Sequence, residues 1–242
     1  MANVKEHYDN LLASCYSWMC GGSDLILKKN RAFFRDHRIW PARSAAAVDL
    51  GAGSGFQAIP LAEAGFKVTA IDVSRDLLTE LNKTAGELPI RTIQDNLTNF
   101  AEHSPAKIEI VVCMGDTLTH LATLAEVKEL IHRIYGALEE EGLLILGFRD
   151  MTVELTRLDR FIPVRSDSKR IFTCFLEYEK KHVKVHDILY ERTADQWKMK
   201  KSFFRKLRIS SQWAKECMLK AGFKVEKYDI DKGMTTIIAR KR

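Results

Sequence analysis

Short apolar runs alternate with amphipathic segments over roughly the first 150 residues, and this alternation predicts a mixed α/β fold. The apolar runs have the length and composition of strands that are buried on both faces, and they lie at 45–50, 67–71, 90–93, 108–114 and 143–148. Apolar residues at helical spacing predict helices between them, at 56–64, 75–85 and 122–138. Strands and helices that alternate in this way form a doubly wound, Rossmann-like parallel sheet.

The pattern changes after Arg149, where polar and apolar residues alternate one by one, as they do in antiparallel strands. This second pattern covers 171–178, 182–191 and 197–207. A helix is predicted at 211–221, and two last strands, 223–228 and 235–239, are joined through Asp231-Lys232-Gly233. The fold predicted is therefore an α/β sheet with a reversed C-terminal β-hairpin and an inserted antiparallel sheet that acts as a lid.

We interpret the chain as one domain, 1–242, built from four consecutive parts. These are an N-terminal helical cap, a cofactor-binding core, the inserted antiparallel strands, and the final helix with its hairpin, at 1–42, 43–150, 151–209 and 210–242. Within the cap, helical spacing predicts a first helix over 3–22 that Gly21-Gly22 ends, and a second one, capped by Ser23 or Asp24, that runs to about Arg38.

Composition narrows the class of protein. The 242 residues are 46% hydrophobic, enough for one substantial core. No apolar stretch has the length of a membrane span and the N-terminus lacks a signal-peptide pattern, so we expect no membrane association. The five cysteines form no Cys-x-x-Cys pair, which fits a reducing cytoplasm and predicts no metal site. Residues 150–242 carry a net charge of +10, which fits either a solvated surface or attraction to an anionic partner.

A glycine-rich turn follows the first predicted strand. Asp49 stands near the end of that strand, and Gly51, Gly53 and Gly55 follow at alternate positions. Glycines in such a turn let the backbone approach a ligand closely, with N–H groups facing it. Asp72 ends the second strand, 21 residues after Gly51, where a carboxylate can accept both hydroxyls of a ribose. The turn and the carboxylate together predict a nucleoside-containing cofactor.

The spacing of the glycines differs from the dinucleotide fingerprint Gly-x-Gly-x-x-Gly, because the third glycine comes one residue early. The pattern Asp49-x-Gly51-x-Gly53-x-Gly55 resembles motif I of the class I S-adenosylmethionine-dependent methyltransferases. The resemblance implies S-adenosylmethionine as cofactor, with Asp49 near the glycine turn or the methionine ammonium and Asp72 on the ribose. A nicotinamide dehydrogenase and a glycine turn that only packs a helix on a strand are the alternatives.

The same resemblance implies further cofactor contacts at the edge of the sheet. Asp95 follows the third strand and would accept a hydrogen bond from the adenine amino group, with the backbone of Asn96 facing the ring. Val73, next to Asp72, belongs to the same set. Asp95 is also a suitable turn or helix-capping residue. In this family an N-terminal helix closes over the cofactor and substrate, so Tyr8 is expected at the cofactor and Tyr16 at the substrate. Both aromatic residues fit equally the apolar face of a covering helix.

The end of the fourth strand narrows the resemblance. The stretch 112–121 resembles the Cys-Leu-Gly-Asn-Ser-x-x-His-Leu segment of glycine/sarcosine-type N-methyltransferases. This resemblance implies that the Met114 carbonyl lies near the sulfonium and that Arg149 binds a carboxylate of the substrate. Asp116 and His120 are the candidates for a catalytic base, if one is used. A surface salt bridge for Arg149 and a packed histidine at 120 are the alternatives.

Two departures from that group leave the acceptor open, because Asp116 replaces its Asn and Phe148 replaces its His. We expect a cytoplasmic enzyme, monomer or dimer, that transfers a methyl group to an N or O atom of a small molecule, amino-acid-like or an amine. The loop 114–117 lacks the prolines of enzymes that methylate base amines, so a nucleic-acid substrate is disfavoured. A methyltransferase acting on RNA or protein, and a cofactor-binding module without catalysis, are the alternatives.

Overall fold

The computed structural model describes residues 4–194 and 196–242, and in these ranges eleven strands form two sheets. The strands are β1 Ala46–Leu50, β2 Lys67–Asp72, β3 Ile90–Gln94, β4 Ile108–Cys113, β5 Leu138–Arg149, β6 Phe161–Ser166, β7 Arg170–Tyr178, β8 His182–Thr193, β9 Gln196–Leu207, β10 Lys224–Asp231 and β11 Met234–Arg240. The α-helices are α1 Val4–His7, α2 Tyr16–Met19, α3 Ser23–Asp36, α4 Ala58–Glu63, α5 Arg75–Ala85, α6 Phe100–His103, α7 Leu124–Ala137 and α8 Ser211–Lys220.

The larger sheet has seven strands in the order β10-β11-β5-β4-β1-β2-β3. The strands from β5 to β3 pair in parallel, whereas β11 pairs antiparallel with both β5 and β10. The last two strands are thus the reversed hairpin that the sequence predicts, and the Rossmann-like α/β fold is confirmed. The order reverses between β1 and β4, which places a ligand site outside the carboxyl ends of these strands.

Helices cover both faces of this sheet, which explains why its central strands are apolar throughout. Strands β1 and β4 are buried along their whole length. One face packs against α7 and α8 in a cluster that includes Val127, Ile131 and Met218. The other face packs against α3, α4 and α5 in a cluster that includes Phe34, Leu61 and Leu81. The α5 helix begins where the sequence predicts, since the Ser74 hydroxyl accepts a hydrogen bond from the Leu77 N–H at 3.4 Å.

The smaller sheet is antiparallel in the order β6-β7-β8-β9 and lies within the predicted insertion. Its β6 strand is absent from the sequence-based prediction, because Pro163 and the charged Arg165 interrupt the apolar pattern there. Proline is tolerated at a sheet edge, and β6 is an edge strand. The buried residues Phe172 and Leu189 of this sheet pack against Leu11 and Leu12 of the N-terminal segment.

The N-terminal segment, residues 4–20, differs from the continuous helix predicted over 3–22, whose first residue lies outside the described residues. A π-helical turn, Tyr8–Leu12, and a 3₁₀ turn, Ala13–Cys15, separate α1 from α2. The side chains of Ser14 and Cys15 donate to backbone carbonyls of the preceding turn, and such bonds compete with regular helix. The prediction of a side-chain cap for α3 is also wrong, because Gly22 occupies the N-cap position.

The sequence predicts no membrane span, and none of the helices formed by residues 4–194 and 196–242 is long and apolar enough to cross a bilayer.

Candidate functional site

A cavity of about 280 Å³ opens at the carboxyl ends of β1, β2, β3 and β4 and is covered by the N-terminal segment. We call it the central cavity. Most of the predicted site residues line it, namely Tyr8, Tyr16, Gly51, Gly53, Asp72, Val73, Asp95, Asn96 and His120. The topology therefore brings together residues that lie more than 100 positions apart in the sequence.

The glycine turn forms one wall of the central cavity. The N–H groups of Gly51 and Ala52 both donate to the Ile71 carbonyl, at 2.8 and 3.0 Å, which attaches the turn to β2. Gly51 has a φ of +73°, and a Cβ there would overlap the Thr117 side chain. Gly53 has a φ of +51°, but a Cβ there would meet other atoms only at ordinary contact distance, 3.7 Å. The chain thus requires glycine at 51 for packing, whereas a Cβ at 53 would fit against Leu77 and Tyr16 without overlap.

Asp72 fixes the turn to the end of β2. Its carboxylate oxygens accept the N–H of Gly53 at 2.9 Å and the N–H of Ser74 at 2.8 Å. Burial raises the pKa of Asp72, and these N–H groups oppose that effect. Since each carboxylate oxygen has two acceptor lone pairs, Asp72 can still accept hydroxyl groups from a ligand in the cavity.

Asp49 lies beneath the turn, inside the sheet, and does not line the cavity. Neither of its carboxylate oxygens makes a hydrogen bond of normal geometry, although the Ala58 backbone N–H lies near enough to interact with the carboxylate. Burial first, and the nearby Asp72 carboxylate second, raise its pKa to about 8, against a weaker effect of the Ala58 backbone. A buried carboxyl group without a partner is costly, and a cationic group in the cavity above would lower that cost.

Asp95 and Asn96 form the opposite end of the cavity. The Asp95 carboxylate accepts from the Asn96 N–H at 2.6 Å and from the Asn99 amide at 3.0 Å, and it bonds His103 at 2.7 Å. These hydrogen bonds, led by that of His103, lower the pKa of Asp95. Asn96 caps the following turn by accepting from the Thr98 N–H. Both residues therefore have local structural roles as well as positions on the cavity wall.

Two tyrosines form the roof of the cavity. The Tyr16 ring stacks on the Phe56 ring with 5.8 Å between the ring centroids. The Tyr8 ring packs edge to face on the His120 ring with 6.0 Å between the centroids. Burial raises the pKa of both phenols, and neighbouring acidic groups, Asp72 among them, add to the effect. Both phenols therefore stay protonated at neutral pH and are available as hydrogen-bond donors.

His120 contributes a neutral imidazole to the cavity. Burial, with Lys206 and His7 as smaller causes, lowers its pKa to about 3 despite the opposite effect of Asp116. Its Nδ1 atom is buried without a hydrogen-bond partner. The ring lines the cavity and can help to position a ligand, but its low basicity makes it a weak proton acceptor.

Asp116, the second predicted base, lies outside the cavity lining. Its Oδ2 accepts from the Lys206 ammonium at 2.7 Å, and its Oδ1 accepts from the Arg149 N–H. Burial alone would raise the pKa of Asp116, but the Lys206 ammonium and this N–H lower it below its ordinary value. Because both oxygens already have partners, the structure favours a structural role for this carboxylate over proton abstraction.

The remaining predicted residues surround the cavity without lining it. The Arg149 guanidinium is exposed and donates to the Lys232 carbonyl at 3.3 Å, away from the cavity. The Met114 carbonyl accepts the Thr117 hydroxyl at 2.9 Å. Gly55, with a φ of +83°, packs so closely on Leu81 that a Cβ would lie 2.7 Å from its Cγ atom.

The N-terminal segment is held over the cavity by a buried pair. His7 Nε2 bonds Asp187 Oδ2 of β8 at 2.8 Å, and the Cys174 thiol donates to Oδ1 of the same carboxylate at 2.8 Å. The His7–Asp187 pair joins the N-terminal segment to the smaller sheet. Because Tyr8 follows His7 directly, the pair also fixes the position of this tyrosine over the cavity.

Several residues in and around the cavity are absent from the sequence-based prediction. Gly115 and Thr117 line the cavity, next to Met114 and Asp116 in the loop after β4, and their position in this loop is the sequence signal for them. Lys206 has no motif that would reveal it, because its contact with Asp116 spans 90 residues. Among the described residues no cluster of His, Cys, Asp and Glu side chains could hold a metal ion.

Comparisons with known proteins agree with this geometry. The family described as "Methyltransferase domain" matches residues 47–142. The glycine/sarcosine N-methyltransferase of Aphanothece halophytica is 30% identical over 105 residues, 43% of this chain. The match spans only 40% of that relative's length.

Solved structures match over nearly the whole chain. An S-adenosylmethionine-dependent methyltransferase from Clostridium acetobutylicum has a TM-score of 0.71 at 15% identity, covering 97% of this chain and 96% of that one. CalS10 from Micromonospora echinaspora, an amino pentose methyltransferase, has a TM-score of 0.65 at 14% identity, covering 91% and 90%. At these low sequence identities, the similarity shows that the folds are alike.

The prediction of a class I methyltransferase is thus confirmed, and with it S-adenosylmethionine as the cofactor of this family. Residues 47–142 match the methyltransferase domain family, and the chain has the fold of the class I S-adenosylmethionine-dependent methyltransferases.

Proposed function

We propose that this protein transfers the methyl group of S-adenosylmethionine to an N or O atom of a small molecule, with an amine as the leading acceptor. The observation that supports this most is the central cavity itself. It combines the glycine turn, the Asp72 carboxylate at the end of β2 and the Asp95-Asn96 pair around one space.

The residues around the cavity fit the cofactor chemically. Asp72 would accept the ribose hydroxyls, the wall at Asp95 and Asn96 would receive the adenine, and Gly51 and Gly53 would accommodate the methionine part. The unpartnered carboxyl of Asp49 suits a ligand that brings positive charge above it. When bound, S-adenosylmethionine supplies a methyl group already activated on a sulfonium.

The chain's own residues then have to align the acceptor and exclude water. The Tyr8 and Tyr16 rings cover the cavity, which keeps bulk water away. His120 lines the cavity, where its neutral ring would orient the acceptor amine. Because its pKa lies at about 3, we propose that His120 positions the acceptor only: a cationic amine loses one proton to solvent before its lone pair attacks the methyl group, and the methylated product loses any further proton to solvent.

The small size of the acceptor is supported by the small volume of the cavity, about 280 Å³. A groove adjoins it at His120 and Leu121, and this groove is lined by Glu126, Glu129 and Arg133. Since its two carboxylates outnumber the one guanidinium, the groove would attract a cationic amine. Arg149 is turned away from the cavity, so its assignment to a substrate carboxylate remains a prediction without structural support.

A methyl-transfer screen tests the proposal. The acceptors are glycine and sarcosine, simple amines, amino sugars, phenols and tRNA, and Asp72→Ala serves as the inactive control. We expect turnover with one amine class and none with tRNA. Methylation of tRNA or protein alone would favour the macromolecular alternative, and S-adenosylhomocysteine binding without any turnover would favour a non-catalytic module. The five free thiols support a cytoplasmic location.

A further inference from the structure

Glu80 connects two walls of the central cavity although it does not line it. It lies on α5, whose apolar residues Leu77, Leu78 and Leu81 face the core. Its Oε2 accepts the hydroxyl of Ser54 at 2.9 Å, and its Oε1 accepts the hydroxyl of Ser17 through a short hydrogen bond. One carboxylate thus binds two residues that are 37 positions apart in the sequence.

The two serines are neighbours of residues that face the cavity. Ser54 is buried in the glycine turn and follows Gly53, while Ser17 follows Tyr16 in the N-terminal segment. Gly53 and Tyr16 lie close together, since a Cβ on Gly53 would be 3.7 Å from Tyr16 Cε1. The Glu80 carboxylate therefore sets the spacing between the turn and the roof.

The contacts of the N-terminal segment divide into two groups. His7 attaches the segment to Asp187 of the smaller sheet, and the Trp18 indole N–H attaches it to Asp167 at 2.6 Å. Ser17 instead attaches it to the cofactor-binding core through Glu80. A change at Glu80 should thus alter the closure of the roof onto the turn while leaving the attachment to the smaller sheet in place.

We propose that Glu80 is a positioning residue of the cofactor site, which holds Tyr16 over the glycine turn through Ser17 and Ser54. The inference rests on the proposed function, because it takes the central cavity to be the cofactor site. Hydrogen bonds to a carboxylate are stronger than those between neutral groups, so a neutral replacement should loosen both walls together.

Calorimetry with S-adenosylhomocysteine tests this on the full-length protein and on Glu80→Ala, Glu80→Gln, Ser17→Ala and the double variant Glu80→Ala/Ser17→Ala. We expect Glu80→Ala to raise the Kd about tenfold and Glu80→Gln to raise it less, since its amide oxygen can still accept a hydroxyl. In steady-state kinetics the KM for S-adenosylmethionine should rise while kcat changes little. Glu87→Gln, an exposed carboxyl just after the same helix, is the matched control and should leave the Kd unchanged.

The double variant separates a shared role from two independent ones. If Ser17 acts through Glu80, Ser17→Ala should weaken binding in the wild-type background and have no further effect in the Glu80→Ala background. Equal effects in both backgrounds, or an unchanged Kd in both Glu80 variants, would overturn the inference. Failure of the wild-type protein to bind S-adenosylhomocysteine would instead overturn the proposed function, and this inference with it.

Discussion

Lys206 donates to Asp116 at 2.7 Å, and this ion pair joins β9 of the smaller sheet to the loop that follows β4 of the larger one. The two side chains are only 14% and 13% exposed. The second oxygen of Asp116 accepts the Arg149 N–H. The pair therefore lies where the smaller sheet meets the loop after β4, and it fixes the distance between the two.

Lys206→Met should destabilise the fold, because it leaves the Asp116 carboxylate buried without its partner, at a cost of about 3–5 kcal/mol. The pKa of Asp116 is lowered in the folded state, so the contribution of the pair is present above the ordinary aspartate pKa and is lost as the pH falls. Urea unfolding at pH 7 and near pH 3.5 should show a smaller difference at the lower pH. Asp116→Asn/Lys206→Met should recover part of the loss, and a double variant no more stable than Lys206→Met would contradict this account.

Asp49→Asn should stabilise the free protein and weaken cofactor binding. With a folded pKa of about 8, Asp49 holds its proton more tightly in the folded than in the unfolded chain. Its contribution to the free energy of unfolding is thus present below about pH 4 and lost as the pH rises to about 8. The variant should exceed wild type by on the order of a few kcal/mol at pH 8.5 and match it near pH 4. Identical pH dependence of the two proteins would exclude a raised pKa.

Gly51→Ala and Gly53→Ala should separate packing from ligand binding. A Cβ at Gly51 overlaps Thr117, whereas one at Gly53 has room. We expect Gly51→Ala to lower the thermal midpoint clearly more than Gly53→Ala does, although both glycines have positive φ. Gly53→Ala should mainly raise the Kd for S-adenosylhomocysteine. Equal losses of stability would show that the backbone conformation, and not Thr117, decides the requirement at Gly51.

His120→Asn should lower kcat by about tenfold, the effect of losing one orienting hydrogen bond, without changing the pH profile. Since the pKa of His120 is about 3, the ring stays neutral throughout the working range. The measurements are kcat and kcat/KM for the acceptor between pH 6 and pH 9. An ionisation near pH 6.5 in wild type that the variant lacks would show that His120 titrates and acts as a base.

The sequence is sufficient to predict the core and most of the residues that line the central cavity. Each of Gly51, Asp72 and Asp95 follows an apolar run that ends at the same sheet edge, so local pattern alone brings them together. The boundaries of α5 agree with the prediction because Ser74 caps the helix and Gly86 follows its last residue.

The residues suggested for the methyl acceptor have positions that depend on long-range contacts, which no local sequence pattern encodes. Arg149 is displaced from the cavity because its N–H binds Asp116 while its guanidinium extends to the hairpin at Lys232. Lys206 donates to the carboxylate of Asp116, which the sequence suggests as a catalytic base. These relationships depend on how the smaller sheet docks on the larger one, which a single sequence does not specify.

Titration calorimetry with S-adenosylhomocysteine tests the central claim, that the cavity beneath Tyr8 and Tyr16 is a cofactor site, most directly. We expect saturable binding to wild type and no binding of NAD. Asp72→Ala should weaken the binding at least tenfold, about 1.4 kcal/mol, and Asp76→Ala, an exposed carboxyl on α5, should leave it unchanged. Absence of binding to wild type, or equal affinity for wild type and Asp72→Ala, would contradict the account.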